Sequence, residues 1–284
     1  MPAKLEPVRS LFPLLLLLPF SGAALGQPVA SASLTPAQAR VLVRRALSNE
    51  LRTAQDVNHP MRYRLRKSSP RITTTKEIVE TADGDVARLV AINDQPLSPA
   101  EEQKEQARLD ALLNDPGLQR HRKQNEDADN GHALKILRAL PQAFLYQFTG
   151  SCAGPSGTVE KFSFRPNPNF NPPDLESQIL TQMTGELWID AARERVVRLE
   201  GHLQQDVNYG WGILGRLYKG GWIVIEQEDV GGGQWRTVRF QMVMSGRVLL
   251  KSRNFNTVEE QSWFAPVPVG LSYRQAIQML RADP

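Results

Sequence analysis

The pattern of apolar and polar positions first marks a helix. Thr35-Pro36-Ala37-Gln38 sets a hydroxyl N-cap, a proline at the first helical position and a reciprocal glutamine at the third. Ala39, Leu42, Val43, Ala46, Leu47 and Leu51 then recur at helical spacing, which predicts an amphipathic helix to about Arg52. Met61, Tyr63 and Leu65 next alternate with Arg62, Arg64 and Arg66, the period of two of a strand with one apolar and one wet face. Strands are predicted at 72–81 and 86–93, around the turn Asp83-Gly84-Asp85. A second capping box, Ser98-Pro99-Ala100-Glu101, opens a charged helical insertion over 98–140. Its few apolar positions predict a surface location, with breaks at Pro116-Gly117 and near Asp129-Asn130-Gly131.

Strand patterns return over 144–148, 159–165, 185–190, 195–207, 222–230, 235–244 and 247–255. The turns between them are short, as at Asp190-Ala191-Ala192-Arg193, Gly231-Gly232-Gly233 and Ser245-Gly246, and short turns predict antiparallel pairing. The proline-rich run from Pro166 to Pro173 is an extended linker, because proline cannot donate to a ladder. Ser272-Tyr273-Arg274-Gln275 is a third capping box and begins a short final helix. The fold class is therefore α+β.

The N-terminus changes where this fold is expected to work. Lys4 and Arg9, an apolar run over 11–20 and the small residues Ala24-Leu25-Gly26 have the layout of a secretory signal peptide, with cleavage predicted after Gly26 and one domain over 27–284. The run is shorter than the roughly 20 residues that cross a bilayer as a helix. Cys152 is the only cysteine, so no internal disulfide is available and a bacterial periplasm or exterior is the expected compartment. Net charge is +4, and +3 once the signal residues leave. That excess permits weak contact with an anionic membrane surface and predicts no nucleic-acid partner.

Three constellations imitate functional motifs. Gly210-x-Gly212-x-x-Gly215 has the spacing of a dinucleotide loop, but only Arg216 to Lys219 separate it from Gly220-Gly221. No helix that could hold a pyrophosphate fits there. The stretch reads instead as an irregular connection between antiparallel strands. Its large residues, Trp211, Ile213, Leu214, Leu217, Tyr218 and Trp222, either plug the core or line a cavity. Gly150-Ser151-Cys152-Ala153-Gly154 resembles a nucleophile elbow with no helix after it, so a structural turn carrying an incidental thiol is expected. His59, His121, His132 and His202 have no metal-ligand spacing, and a calcium loop starting at Asp127 would put Arg138 where its closing acid belongs. No catalytic residue, metal or cofactor is expected.

Gly185-Glu186-Leu187-Trp188-Ile189-Asp190, a short turn and Arg195-Val196-Val197-Arg198-Leu199-Glu200-Gly201 resemble the outer-membrane lipoprotein carrier and sorting superfamily of the bacterial periplasm. The resemblance implies a curved antiparallel sheet, an open half-barrel, wrapped around helices and holding a cavity for acyl chains. Pro166-Asn167-Pro168-Asn169-Phe170 followed by Gly210-Trp211-Gly212-Ile213-Leu214-Gly215 is similar to secreted bacterial relatives of that superfamily, and brings no activity with it. The charged insertion departs from the short carriers. The expected function is an exported, non-enzymatic binding protein for a lipid, a lipoprotein acyl chain or another apolar ligand. Trp188, Trp211, Ile213, Leu214, Leu217, Tyr218 and Trp222 are the candidate ligand-binding residues. The alternative is an envelope interaction protein whose core is filled by its own side chains.

Overall fold

The computed structural model describes residues 34–155, 157–209, 215–248 and 251–282. The predicted signal peptide, Trp211, Ile213 and Leu214 lie outside the described residues.

The chain opens with helix α1 (Pro36–Ala54), where the Thr35 hydroxyl accepts from the Gln38 N–H and the Gln38 side chain accepts from the Thr35 N–H. Strands β1 (Met61–Ser68), β2 (Thr73–Val79), β3 (Val86–Ile92) and the short β4 (Gln95–Pro96) follow. Helices α2 (Pro99–Asn114) and α3 (Pro116–Ala143) then lead to β5 (Phe144–Gly154), β6 (Gly157–Pro166), a 3-10 turn at Glu176–Gln182, β7 (Met183–Asp190) and β8 (Arg195–Leu203). The last part holds β9 (Val207–Tyr209), β10 (Gly215–Leu217), β11 (Trp222–Asp229), β12 (Trp235–Val248), β13 (Lys251–Pro266) and α4 (Tyr273–Ala282). No helix among the described residues is long and apolar enough to cross a membrane.

Every strand pairing is antiparallel, in the order β4-β3-β2-β1-β13-β12-β11-β8-β7-β6-β5, with β9 and β10 extending the ladder beside β12. The sheet starts at β4 and stops at β5 without closing on itself, which agrees with the α+β class that the sequence pattern predicts and with the open sheet that the resemblance implies. The helices cover it as two groups. Ala46 and Leu47 of α1 and Ala139, Leu140 and Ala143 of α3 pack on Phe162, Leu187 and Ile189. At the other side Leu109 and Leu112 of α2 and Ala276, Ile277 and Leu280 of α4 pack on Val79 and Val86.

Three local expectations are corrected. Helix α3 runs unbroken through Asp129-Asn130-Gly131, because its N-terminal half is fastened by Gln119 Nε2 to the carbonyls of Asp83 and Gly84 while its C-terminal end is core. The insertion lies mostly on the surface, as its polar pattern predicts, and supplies core to both groups only through Leu109, Leu112, Ala139 and Leu140. Gly150 to Gly154 is no turn: it continues β5 against β6, with Cys152 opposite Val159. Ser245-Gly246 likewise lies inside β12. A Cβ on Gly246 would come within 2.6 Å of the Arg216 carbonyl of β10, so glycine there permits close strand approach.

The β2–β3 turn carries a half-buried acid, Asp85. The Asp85 N–H donates to Glu126 Oε2 at 2.9 Å and Arg122 Nη2 donates to the Asp85 carbonyl at 2.9 Å. Burial, followed by the charges of Glu126 and Glu80, pushes the Asp85 carboxyl up to about 7. A carboxyl that holds its proton more tightly folded than unfolded makes the protein less stable as pH rises from about 4 through 7. Asp85→Asn should therefore remove about 1–2 kcal/mol of the stability lost between pH 5 and pH 8. Urea melts of both proteins at the two pH values measure this, and an unchanged difference would contradict it.

Candidate ligand-binding face

The concave face is organised by two cross-strand rows. In the first, Phe148, Phe162, Leu187, Leu199, Ile225 and Phe240 follow one another across six strands. In the second, Tyr146 and Phe164 lead to Gly185 and Gly201 and then to Ile223 and Met242. Side chains alternate between faces along a strand, so one register fixes both rows on the helix side. At the β5 end the rows are closed: Phe162 and Leu187 are 0% exposed under α1 and α3. Farther along, Leu199, Ile223, Ile225, Phe240 and Met242 are only half-buried. Beyond them the first row ends in an ion pair, Lys67 Nζ to Glu259 Oε1 at 2.6 Å. The face thus carries an apolar band between its two helix-covered ends.

A clamp from α1 fixes one boundary of this band. Glu50 lies in the apolar stripe of α1 and is buried. Its carboxylate accepts from Arg195 Nε (2.8 Å) and Nη2 (3.1 Å), the Val196 N–H (3.0 Å) and Gln227 Nε2 (3.1 Å). Four donors on two oxygens offset the cost of taking this charge out of water. The Arg195 guanidinium also lies 5.5 Å from the ring centre of the buried Trp235. Asn49 Nδ2 donates to the Glu194 carbonyl, and Asp190 Oδ1 accepts from the Arg193 N–H, so the β7–β8 turn is held from both sides. That bond explains the Ile-Asp ending of β7: Asp190 is buried and caps the turn after it. Beside the clamp opens a cleft of about 610 Å³ walled by Asn49, Arg52, Asp56, Arg193, Arg195 and Trp235.

The candidates among the described residues, Trp188, Leu217, Tyr218 and Trp222, do not gather at one place. Leu217 is half-buried and packs against the core under α1 and α3, while Arg216 and Lys219 beside it are exposed. Tyr218 is 36% exposed. Trp222 pairs with His202 and falls by register on the face opposite Ile223. Trp188 is on that same outer face, with Lys161 Nζ 4.0 Å from its ring centre, Arg198 Cζ at 5.7 Å and its Nε1 donating to Glu186. A groove of about 570 Å³ lies there too, between Arg165, Glu186, Glu200 and His202. Gly215 is followed by β10 and a turn, not by a helix, as the strand-to-strand reading of the glycine-rich stretch requires. Among the described residues no group of three or more His, Cys, Asp or Glu could hold a metal ion. Cys152 is half-buried and unpaired by any disulfide.

The band of Leu199, Ile225 and Phe240 and the Glu50 clamp are absent from the sequence reading. One signal pointed to the clamp: Glu50 sits seven residues after Val43 and three after Leu47, a lone carboxylate on an apolar helix face.

No protein-family model matches the chain, and no curated protein matches it. Three solved structures are similar to it, each at 10% identity. One is a putative outer membrane lipoprotein-sorting protein domain from Vibrio parahaemolyticus, sharing 84% of this chain and 99% of its own at a TM-score of 0.30. Another is a LolA superfamily protein from Nitrosomonas europaea, with 80% and 92% covered and a TM-score of 0.29. The third is a DUF1329 family protein from Desulfovibrio piger, with 82% and 95% covered and a TM-score of 0.31. All three likenesses are remote, and the first two are to the superfamily that the 185–201 residues resemble.

Proposed function

We propose that this is an exported, non-enzymatic binding protein of the bacterial cell envelope that takes an acyl chain or similar apolar ligand against the concave face of its sheet. The observation that carries the reading is the half-buried apolar band of Leu199, Ile223, Ile225, Phe240 and Met242 between two fully packed ends. Incompletely covered apolar surface costs free energy in water, roughly 25 cal/mol per Å². An acyl chain laid along the rows removes that cost and needs no hydrogen-bonding partner. Leu217, packed at the margin of the same core, is the candidate from the glycine-rich stretch that borders the ligand.

Mass spectrometry of gently purified protein should find acyl-bearing molecules released only on denaturing extraction. A fluorescent fatty-acid probe should bind the delipidated protein, and Ile225→Ala with Phe240→Ala should weaken that binding at least about tenfold while lowering stability by only about 1–3 kcal/mol. A protein that carries no apolar molecule and takes up no probe would instead have a core filled by its own side chains.

A further inference from the structure

We infer that the hairpin end of the sheet around β10, β12 and β13 is a docking surface for an anionic lipid bilayer. Between residues 203 and 222 and between 240 and 258 the sequence holds Arg216, Lys219, Arg247, Lys251 and Arg253, with Asp206 the only acid. Five cations against one carboxylate leave a surplus of +4, equal to the net charge of the whole chain. Without the predicted signal residues the chain carries +3, so everything outside this end sums to −1 (3 − 4), and the positive excess is collected at one end.

The ladder carries these cations to one end of the sheet, with Arg216 and Arg247 on one face and Lys251 and Arg253 on the other. Gly215 pairs with Val248 and Val248 with Lys251, Arg216 faces Arg247, and Leu217 and Arg253 both pair with Gly246. All five cationic side chains are exposed. Like charges directly opposite on neighbouring strands destabilise a sheet. Asp206 answers one of them, accepting from Arg216 Nε at 2.8 Å and from the Lys219 N–H at 2.7 Å. Lys219, Lys251 and Arg253 have no ion-pair partner among the described residues.

Large apolar groups share this end. Phe255 is 42% exposed on β13, and Tyr218 is 36% exposed with its ring 5.9 Å from the Arg216 guanidinium. The β1–β2 turn lies at the same end, since Ser68 pairs with Val258, and it adds Arg71 and a 45% exposed Ile72. Cations interleaved with partly exposed aromatic and aliphatic groups suit the boundary between lipid head groups and acyl chains, where phosphates meet the charges and the apolar groups leave water. Soluble polyanions would satisfy the charges alone. The inference stands whether or not an acyl chain binds inside the sheet.

Vesicle co-sedimentation tests it. The protein should sediment with vesicles of equal parts phosphatidylcholine and phosphatidylglycerol, should not sediment with phosphatidylcholine alone, and should be released as salt rises from about 0.05 to 0.5 M. The triple variant Lys219→Glu, Lys251→Glu, Arg253→Glu should weaken this at least about tenfold. A control with the same change in net charge, Arg40→Glu, Arg44→Glu, Arg120→Glu, alters exposed helical sites and should bind within about twofold of the unmodified protein. Near-identical circular dichroism and melting of the two variants would exclude misfolding as the cause. Equal losses in both variants, or retention on immobilised heparin without vesicle binding, would overturn the inference.

Discussion

Replacing Glu50 by Gln is expected to lower the free energy of unfolding by about 3–5 kcal/mol, the range for stripping a buried ion pair of one partner. The glutamine carbonyl can accept from some of the four donors now on the carboxylate, but it brings no negative charge to Arg195. The Arg195 side chain is only 11% exposed, so it would be left as a buried cation beside Trp235. The loss should spread beyond the pair, because the same carboxylate joins α1 to β8 and, through Gln227, to β11. Glu50→Leu combined with Arg195→Met should recover most of the stability, since an apolar pair of similar volume removes both charges together. Denaturant midpoints of the three proteins measure the effect. A cost below about 1 kcal/mol for Glu50→Gln would mean that α1 is held by packing alone.

Gly185→Ala should cost about 3 kcal/mol or more through overpacking. Gly185 and Gly201 face each other on β7 and β8, and the Phe164 ring lies over the gap they leave. A methyl group on Gly185 would sit 2.7 Å from Phe164 Cζ and 1.8 Å from the Glu200 carbonyl oxygen. A ring can rotate away, but a carbonyl in the middle of a ladder can move only with its strand. Phe164→Leu should consequently rescue Gly185→Ala only in part. A neutral Gly185→Ala, read by thermal unfolding, would show that β7 and β8 can separate there at little cost.

The parts of the fold that were legible in the sequence are those specified by local chemistry. The three capping boxes lie where α1, α2 and α4 begin, because a hydroxyl and a reciprocal acid or amide satisfy N–H groups that no other residue nearby can reach. The Arg62, Arg64 and Arg66 alternation likewise reappears as a polar face of β1, where Glu77 pairs with Arg62 and Arg64. Misreadings fall where distant partners overrule local preference. Asp129-Asn130-Gly131 favours a break, yet α3 is held at both ends and stays helical. Ser245-Gly246 has turn chemistry, yet its glycine answers the approach of β10. The apolar band was illegible for a related reason. Leu199, Ile225 and Phe240 form a row only once the register of β8, β11 and β12 is set.

The pairing of β1 with β13 also fixes the order in which the sheet can be completed. Arg64 lies against Ser262, 198 positions later in the chain. Closing so long a loop costs only slightly more entropy than closing one half as long, but it slows the search for the right partner. Until β13 exists, β1 keeps one side unpaired. The core over Val79 and Val86 then also lacks Ala276, Ile277 and Leu280. The first strands synthesised are therefore among the last to reach their final stability. A chain cut short after β12 would lose the packing of its own N-terminal quarter, although not one residue there had been removed.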